Sequence, residues 1–390
     1  MMREVPANRR EMAVLLNSRM NRAYSQLADG ARLQPDSSLV KTYMVEAHPL
    51  GPDAHDGSLQ LLRDSFDDTA SPLHGLGRTE ETEEEGFFRV HVRRRDASAT
   101  LYVDASHPRF WLVHSPDRST EVDWVMERLT STSPRFDTAW LPMQMLEAAA
   151  ARGAFRGLGL DFDTRPLLQP TVDHEGDGRS VEFLKMQLWG NQAKRVLSVL
   201  SAEGAFPNET TLSKVRVKYT LPDSNGDFSL DDMRYDGKVT GRGTSFQSHI
   251  AFTSLVYEEY RRWVAYVEET LALRWTIAEG AASMSGCPLG IRFRTPVDNL
   301  HGLVDRLFSA APPFRLWGVP RWLSDSYASV PAVDLHVGHP LDIEVTPELL
   351  RVYLPEGSCG NSLLRLFTNL QHCLDAQATA EGPGGVPLFE

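Results

Sequence analysis

The sequence predicts an α+β protein, with antiparallel or mixed sheets and separate helices arranged in two domains. Three observations favour this class. Short runs of alternating apolar and polar residues are joined by turns, as in antiparallel strands. Amphipathic helical patterns stand apart from these runs, without the regular strand-helix alternation of a doubly wound sheet. The chain has 390 residues, which is longer than a single hydrophobic core usually supports.

The composition is that of an ordinary globular protein, 42% hydrophobic and 24% charged. A net charge of -12 opposes broad attraction to nucleic acid or to an anionic membrane. No run approaches the ~18 apolar residues of a membrane span, and the basic N-terminus lacks the apolar stretch of a secretory signal. Three cysteines are too few for a disulfide framework. We therefore expect a soluble, cytoplasmic protein.

Residues 1–85 are predicted to form an N-terminal helix followed by an acidic loop or linker region. Over residues 8–28 the apolar side chains recur at three- and four-residue steps, which is typical of an amphipathic helix: Met12, Leu16, Met20, Tyr24 and Leu27. Its other face carries arginines that could touch an acidic partner or nucleic acid, and a solvated face gives the same pattern: Arg9, Arg10, Arg19 and Arg22. Residues 45–86 are rich in Pro, Gly, Asp and Ser, which indicates loop.

Residues 86–205 are predicted to form a first α+β domain. Alternating runs predict strands at residues 86–95, 99–104, 109–114, 157–163 and 181–189. Helical periodicity and capping residues predict helices at residues 119–129, 143–152 and 192–202. The mixture of hairpins and separate helices supports the α+β class for this region.

Residues 206–390 are predicted to form a second α+β domain that ends in a β-hairpin, a strand and a C-terminal helix. A strand at residues 213–219 precedes a long helix at residues 248–273, whose outer face is charged. The predicted elements that follow are strands at 289–294 and 314–318, a helix at 297–308, the hairpin at 333–345 and a strand at 349–354.

The hairpin carries the densest set of candidate metal ligands. Burial of its apolar residues would place Leu335 opposite Ile343 and Val337 opposite Leu341. The other face would then hold carboxylates and an imidazole that could bind a divalent cation: Asp334, His336, Asp342 and Glu344. Arg351 and Tyr353 of the next strand would join this face. An antiparallel sheet with one face in water gives the same pattern, so both interpretations stay open.

The segment that leads into the C-terminal helix suggests an anion site. Free backbone amides at a helix N-terminus attract anions, and the predicted donors are Gly357, Ser358, Gly360 and Asn361, with Arg351 and Arg365 supplying charge. No Lys follows Gly360 as a nucleoside triphosphatase loop requires. A capped turn, with Asn361 or Ser362 as the cap, and a thiol nucleophile at Cys359 are the alternatives.

The sequence contains no complete catalytic motif and does not decide whether the protein is an enzyme. The leading hypothesis is an intracellular binding or scaffold component of a multi-protein assembly, without catalysis, that meets a protein partner through its acidic, Trp-containing surface. The alternative is a metal-dependent hydrolase that acts on a phosphate-containing substrate, with nucleic acid among the candidates. The net charge disfavours a nucleic-acid partner, and no membrane partner is expected.

Overall fold

The structure is a computed structural model that describes residues 6–28, 39–49, 54–95, 97–167, 183–190, 192–202, 210–278 and 281–389. Within these ranges the chain forms eight α-helices and twenty strands. The strands make three mostly antiparallel sheets, which confirms the predicted α+β class.

The helices are α1 Arg9–Ala28, α2 Ala54–Asp67, α3 Ser119–Ser131, α4 Met143–Ala151, α5 Ala193–Ala202, α6 Phe246–Tyr266, α7 Leu300–Leu307 and α8 Gly360–Cys373. The strands of the first half are β1 Val40–Ala47, β2 Gly77–Glu81, β3 Phe87–Arg94, β4 Ala97–Asp104, β5 Phe110–Ser115, β6 Phe136–Thr138, β7 Ala154–Asp163 and β8 Phe183–Trp189. Those of the second half are β9 Leu212–Thr220, β10 Phe228–Arg234, β11 Lys238–Gly243, β12 Arg274–Ala278, β13 Ala281–Ser285, β14 Leu289–Arg292, β15 Leu316–Gly318, β16 Arg321–Ser324, β17 Tyr327–Asp334, β18 His339–Val345, β19 Leu349–Tyr353 and β20 Thr379–Glu381.

The chain divides into two compact units, each assembled from separate stretches of sequence. The first unit comprises Met1–Ala139, Ala149–Phe155 and Arg216–Tyr257, and the second comprises Trp140–Ala148, Arg156–Val215 and Glu258–Glu390. This division follows spatial contacts and does not test the domains predicted over residues 1–85, 86–205 and 206–390. Those limits stay a prediction.

Strand β1 lies in the middle of the first unit's sheet. The strand order there is β2-β3-β4-β5-β1-β11-β10, and β6 also pairs with β1. All eight residues of β1 are buried. A strand that is covered on both faces ordinarily has a nearly continuous apolar sequence, but β1 contains the buried polar residues Lys41, Thr42 and Glu46. Each of them needs a partner in the interior.

Helix α1 confirms the predicted amphipathic pattern but is packed on the first unit. Its residues Met12, Leu16 and Met20 are buried in a cluster with Phe87 and Phe246. The Arg9 guanidinium lies 2.7 Å from the Glu84 carboxylate and 2.9 Å from that of Asp104. The helix is therefore held to the sheet by apolar packing and by the ion pairs of Arg9. The docking role suggested by its arginines stays a prediction.

The prediction of loop or linker over residues 45–86 is wrong for most of this stretch. It contains α2 and β2, and Leu59, Leu62 and Phe66 of α2 pack in the first unit's core. The acidic run at its end takes part in the fold because Glu80 accepts a hydrogen bond of 2.8 Å from Arg89 Nε. The polar composition concealed both the helical spacing of these apolar residues and the cationic partners of the acidic ones.

The second unit is built around a sheet with the order β15-β17-β18-β19-β14-β20, in which β16 also pairs with β17. The predicted hairpin, strand and C-terminal helix are present as β17–β18, β19 and α8, although β20 follows them. Every residue of α8 is buried, the polar ones included. A helix that is buried all round must satisfy its polar side chains within the protein.

The long helix predicted at residues 248–273 corresponds to α6 followed by a π-helical turn, Val267–Leu271. Its predicted core residues Val256, Tyr260 and Val264 are buried. No helix in the described ranges is long and apolar enough to cross a membrane.

Candidate functional site

The β17–β18 hairpin has a different register from the predicted one. Leu341 pairs with Ala332 and Ile343 pairs with Val330, so the turn occupies residues 335–338. The predicted pairs of Leu341 with Val337 and of Ile343 with Leu335 are therefore wrong. Asp334 follows Ala332 on the same strand face and consequently points into the core, where it is 1% exposed. Leu335, predicted to be buried, is 40% exposed.

The register separates the four predicted metal ligands. Asp334 and His336 are buried, whereas Asp342 is exposed and Glu344 is half-buried. Glu344 lies on the opposite sheet face with Arg351, whose Nη1 is 3.5 Å from the Glu344 carboxylate. Tyr353 donates a hydrogen bond of 3.2 Å to the same carboxylate. The part of the polar face formed by β18 and β19 is thus as predicted, but it lacks Asp334 and His336. A divalent cation stays a prediction.

Asp334 forms a buried ion pair with Arg365 of α8. Both side chains are at most 1% exposed, and Arg365 Nη2 donates to the Asp334 carboxylate. Arg365 Nε also donates to the Phe314 carbonyl oxygen over 2.9 Å, and the Ser362 hydroxyl donates to Asp334. Burial by itself would raise the pKa of Asp334, but the charge of Arg365 and these hydrogen bonds outweigh it, so the pKa is lowered. This carboxylate is ionised inside the core.

One amide predicted to bind an anion, that of Gly360, is bonded to a carboxylate of the protein itself. Helix α8 begins at Gly360, directly after its N-cap Cys359. The Gly360 amide donates a hydrogen bond of 2.7 Å to the Glu268 carboxylate. A side chain at position 360 would meet the Val264 carbonyl oxygen at 2.6 Å, so glycine is needed for close packing. Glu268 therefore takes the place of an external anion at this helix terminus.

The other members of the predicted anion set do not converge on this amide. Gly357 has a φ of 82°, in the left-handed region that favours glycine. Ser358 and Asn361 are buried. The cap is Cys359 rather than Asn361 or Ser362, and Cys359 makes no side-chain capping bond. Because Arg351 and Arg365 pair with Glu344 and Asp334, the geometry favours a packed strand-to-helix turn over an anion site.

A buried polar network in the first unit was not found from the sequence. Thr42 of β1 lies directly opposite His114 of β5, and Thr42 Oγ1 is 2.9 Å from His114 Nδ1. The same oxygen is 2.7 Å from Nε2 of His249, on α6. His249 Nδ1 is 2.6 Å from the carboxylate of Asp231 on β10, to which Ser229 also donates. All five side chains are at most 1% exposed.

The contacts of this network are continuous from His114 to Asp231. Asp231 accepts a bond from the Ser229 hydroxyl and lies 2.6 Å from His249 Nδ1. Thr42 Oγ1 lies within hydrogen-bond distance of a ring nitrogen on either side, His114 Nδ1 and His249 Nε2. Because a hydroxyl both donates and accepts, Thr42 can bond to the two rings at once.

Burial determines whether this network can act on a substrate. A hydroxyl, an imidazole and a carboxylate in this order can activate a hydroxyl nucleophile. Here Thr42 is 0% exposed, so no substrate reaches its oxygen, which already bonds to His114 and His249. Burial lowers the pKa of His114 from 6.5 to about 3, and this keeps its ring neutral. We interpret the network as one that fastens α6 to the strands beneath it.

Gly241 provides the space for the network. It pairs with Asp231 on the neighbouring strand β10. A side-chain carbon at Gly241 would lie 2.5 Å from His249 Nδ1 and 2.9 Å from Asp231 Oδ1. Because such contacts are shorter than atoms tolerate, the imidazole and the carboxylate can meet only beside a glycine.

The second unit presents an apolar hairpin to solvent. Among the described residues, strands β12 and β13 form a two-stranded sheet in which Trp275 is opposite Met284 and Ile277 is opposite Ala282. These four residues therefore share one face. On that face Trp275 is 69% exposed, Ile277 82% and Met284 56%. We call it the hairpin apolar face.

The hairpin's opposite face is polar and its base is fixed. Thr276 and Ser283 form a hydrogen bond of 2.6 Å between their hydroxyls. At the base, Leu273 donates its amide to Leu354 over 2.7 Å, and Arg274 donates to the Glu268 carbonyl oxygen over 2.9 Å. The apolar side chains thus project from an anchored element. The sequence prediction missed this hairpin by ending the long helix at residue 273, although alternation from Trp275 to Ile277 was a visible signal.

These features define an α+β protein with a buried hydroxyl, imidazole and carboxylate network and an exposed apolar hairpin. The chain belongs to the MJECL33-like protein family, whose sequence profile matches residues 1–385. It is 27% identical over 405 residues to a Methanocaldococcus jannaschii protein described as "Uncharacterized protein MJECL33". That match covers 96% of this chain and 94% of the relative. The likeness therefore extends over nearly all of both proteins.

Proposed function

We propose that the protein is a binding component of a multi-protein assembly and that it holds a protein partner against the hairpin apolar face. The exposure of Trp275, Ile277 and Met284 on one anchored face is the observation that carries this proposal. Exposed apolar groups that form a contiguous patch mark interaction surfaces. A hairpin of only two strands is marginally stable in water, so a partner that covers it also stabilises it.

The exposed area is large enough to matter for affinity. Burying the side chain of an Ile or a Met gives roughly 1.5–3 kcal/mol, and a Trp contributes at least as much. Trp275 and Ile277 keep most of their surface in water. Covering them would therefore contribute about 3 kcal/mol, which corresponds to about 100-fold in affinity. Trp and Met are also enriched at protein interfaces.

The test compares two double variants of the full chain. Trp275→Ser with Ile277→Ser removes the hairpin apolar face, and Thr276→Ala with Ser283→Ala alters only the polar face. Each chain is tagged, isolated from its native host and analysed by quantitative mass spectrometry. A protein recovered with the wild type is then purified and titrated into each chain by calorimetry.

We expect the apolar-face variant to bind that protein about 100-fold more weakly and the polar-face variant to bind it like the wild type. Sedimentation of the purified chains checks whether the face pairs with a second copy instead. Equal binding by all three chains, or no protein above background with the wild type, would contradict the proposal.

A further inference from the structure

An open sheet face in the second unit combines aromatic rings with cations. Within the described ranges, β8 is the last strand in the order β9-β7-β8. Side chains alternate between the two faces of a strand, and on one face of β8 all four are exposed: Phe183, Lys185, Gln187 and Trp189. Phe183 is 50% exposed and Trp189 is 44% exposed. These four residues and Lys214 of β9 are called the aromatic sheet face below.

Two glycines of β7 give side chains from the neighbouring strands room to lie over this face. Gly157 pairs with Trp189 of β8. A side-chain carbon at Gly157 would lie 2.5 Å from Trp189 Cε3, so the indole ring lies across the glycine backbone. A side-chain carbon at Gly159 would lie 3.3 Å from Lys214 Cβ, so Lys214 runs beside this second glycine. The Trp189 ring is thus supported from below while nearly half of its side chain stays in water.

Each exposed ring has a cation beside it. Lys214 Nζ lies 4.9 Å from the centroid of the Trp189 ring. The guanidinium carbon of Arg165 lies 5.2 Å from the centroid of the Phe183 ring. Cations at such distances are attracted to aromatic rings. Between the two rings Lys185 projects from the same strand face, with its side chain 57% exposed. A ligand that stacked on these rings would therefore have cations next to it.

The local charge is positive although the chain as a whole carries -12. This part of the sheet and the start of α5 contain six Lys or Arg and two Asp, within residues 156–165, 183–190, 192–195 and 212–215. Each carboxylate lies beside one cation, because Lys185 Nζ is 3.6 Å from Asp161 and Arg165 Nε is 2.7 Å from Asp163. The remaining Lys and Arg residues leave an excess of positive charge here, which attracts an anionic ligand.

Exposed rings together with excess positive charge favour a polyanion that carries flat rings of its own. Proteins that bind single-stranded nucleic acid use aromatic side chains, on which bases stack, and cations that follow the phosphates. Same-face side chains of a strand are about 6.6 Å apart, so Phe183 and Trp189 lie roughly 20 Å apart and can stack separate bases. A second copy of this chain fits less well, because it would bring the same positive charge against itself.

We propose that the aromatic sheet face binds single-stranded nucleic acid, with bases stacked on Trp189 and Phe183 and phosphates paired with Lys185 and Lys214. The contact is local, because the overall charge of -12 opposes attraction over the rest of the surface. A duplex cannot use the rings in this way, since its bases are already stacked inside it. The inference uses other strands than the hairpin apolar face and does not depend on it.

The test measures the fluorescence anisotropy of labelled oligouridine and oligothymidine of about 12 nucleotides with the full chain, at about 50 mM salt. A DNA duplex of the same length and a glutamate-rich peptide are the polyanions that offer no unstacked bases. Trp189→Ala removes one ring, and Trp189→Phe keeps a ring at the same place. Trp317→Ala is the matched control, because Trp317 is 53% exposed in the same unit but lies on β15.

At least one of the two single strands is expected to bind the wild type and Trp317→Ala equally, and to bind Trp189→Ala roughly fivefold or more weakly. Trp189→Phe should recover most of that loss. Lys185→Gln with Lys214→Gln should weaken binding and make it less sensitive to added salt. The tighter of the two single strands identifies RNA or DNA as the ligand.

Circular dichroism checks that each variant retains its fold. Equal affinity of the folded Trp189→Ala variant and the wild type, or no binding of either single strand to the wild type, would overturn the proposal. Binding of the duplex or of the glutamate-rich peptide as tight as that of the single strands would overturn it too, because charge alone would then explain the contact.

Discussion

Replacement of His114 by Asn should make the free energy of unfolding of the first unit fall less steeply as the pH is lowered. Burial lowers the pKa of His114 from 6.5 to about 3. Between these values the unfolded chain binds a proton at this position and the folded chain does not, so the folded state loses stability as the pH falls. The loss begins near pH 6.5 and continues toward pH 3.

The magnitude follows from the size of the shift. One pH unit corresponds to roughly 1.4 kcal/mol for a group that is protonated in only one of the two states. From about pH 6.5 to pH 4.5 the wild type should therefore lose about 2–3 kcal/mol through His114 alone. His114→Asn keeps an amide, which can donate or accept, near the Nδ1 position that bonds to Thr42, and it cannot titrate.

The assay is urea unfolding at a series of pH values, read by pulsed hydrogen exchange in peptides that cover β1 and β5. His74→Asn is the matched control, since His74 is exposed in the same unit. We expect the free energy of unfolding to fall equally steeply with decreasing pH in the wild type and in His74→Asn. In His114→Asn the fall should be smaller by about 1.4 kcal/mol per pH unit. The same slope in all three chains would refute the interpretation of His114 as a buried neutral residue.

The other close contacts lead to expectations that urea unfolding can check. Gly241→Ala should destabilise the protein by about 1–3 kcal/mol because the new carbon meets His249 at 2.5 Å. Gly290→Ala, whose nearest contact would be 3.4 Å away, should cost much less, and equal losses would contradict this. Arg365→Met should lower the free energy of unfolding by about 3–5 kcal/mol because it leaves Asp334 charged and unpaired in the core. Adding Asp334→Asn should recover much of that loss, and a double variant no more stable than Arg365→Met would argue against the ion pair.

Sequence patterns predicted the elements that depend on local periodicity. The buried face of α1 and the shared face of Glu344 and Arg351 both follow from side-chain spacing along single elements or neighbouring strands. Asp334 shows the limit of such patterns. The alternating pattern is compatible with more than one pairing register across the β17–β18 turn. In the observed register Asp334 is buried, where its partner is Arg365 of α8, and the pattern of a single hairpin does not show that partner.

The buried network shows why long-range sites escape sequence reasoning. Thr42 and His249 are separated by 207 residues, and His249 and Asp231 by 18. No spacing rule joins them, since strand pairing and helix packing decide which side chains meet. Gly241 gives no local signal either, because its role depends on an imidazole that arrives from α6.

The most direct test of partner binding is to compare side-chain oxidation in intact host cells with oxidation of the purified chain. Trp275 and Met284 are exposed on the hairpin apolar face, and Trp317, 53% exposed in β15, serves as the internal reference. Brief hydroxyl-radical labelling is followed by mass spectrometry of the corresponding peptides. We expect Trp275 and Met284 to be protected severalfold in cells relative to Trp317, because a partner covers the hairpin there. Equal labelling in cells and in the purified chain would contradict the proposal that this face holds a partner.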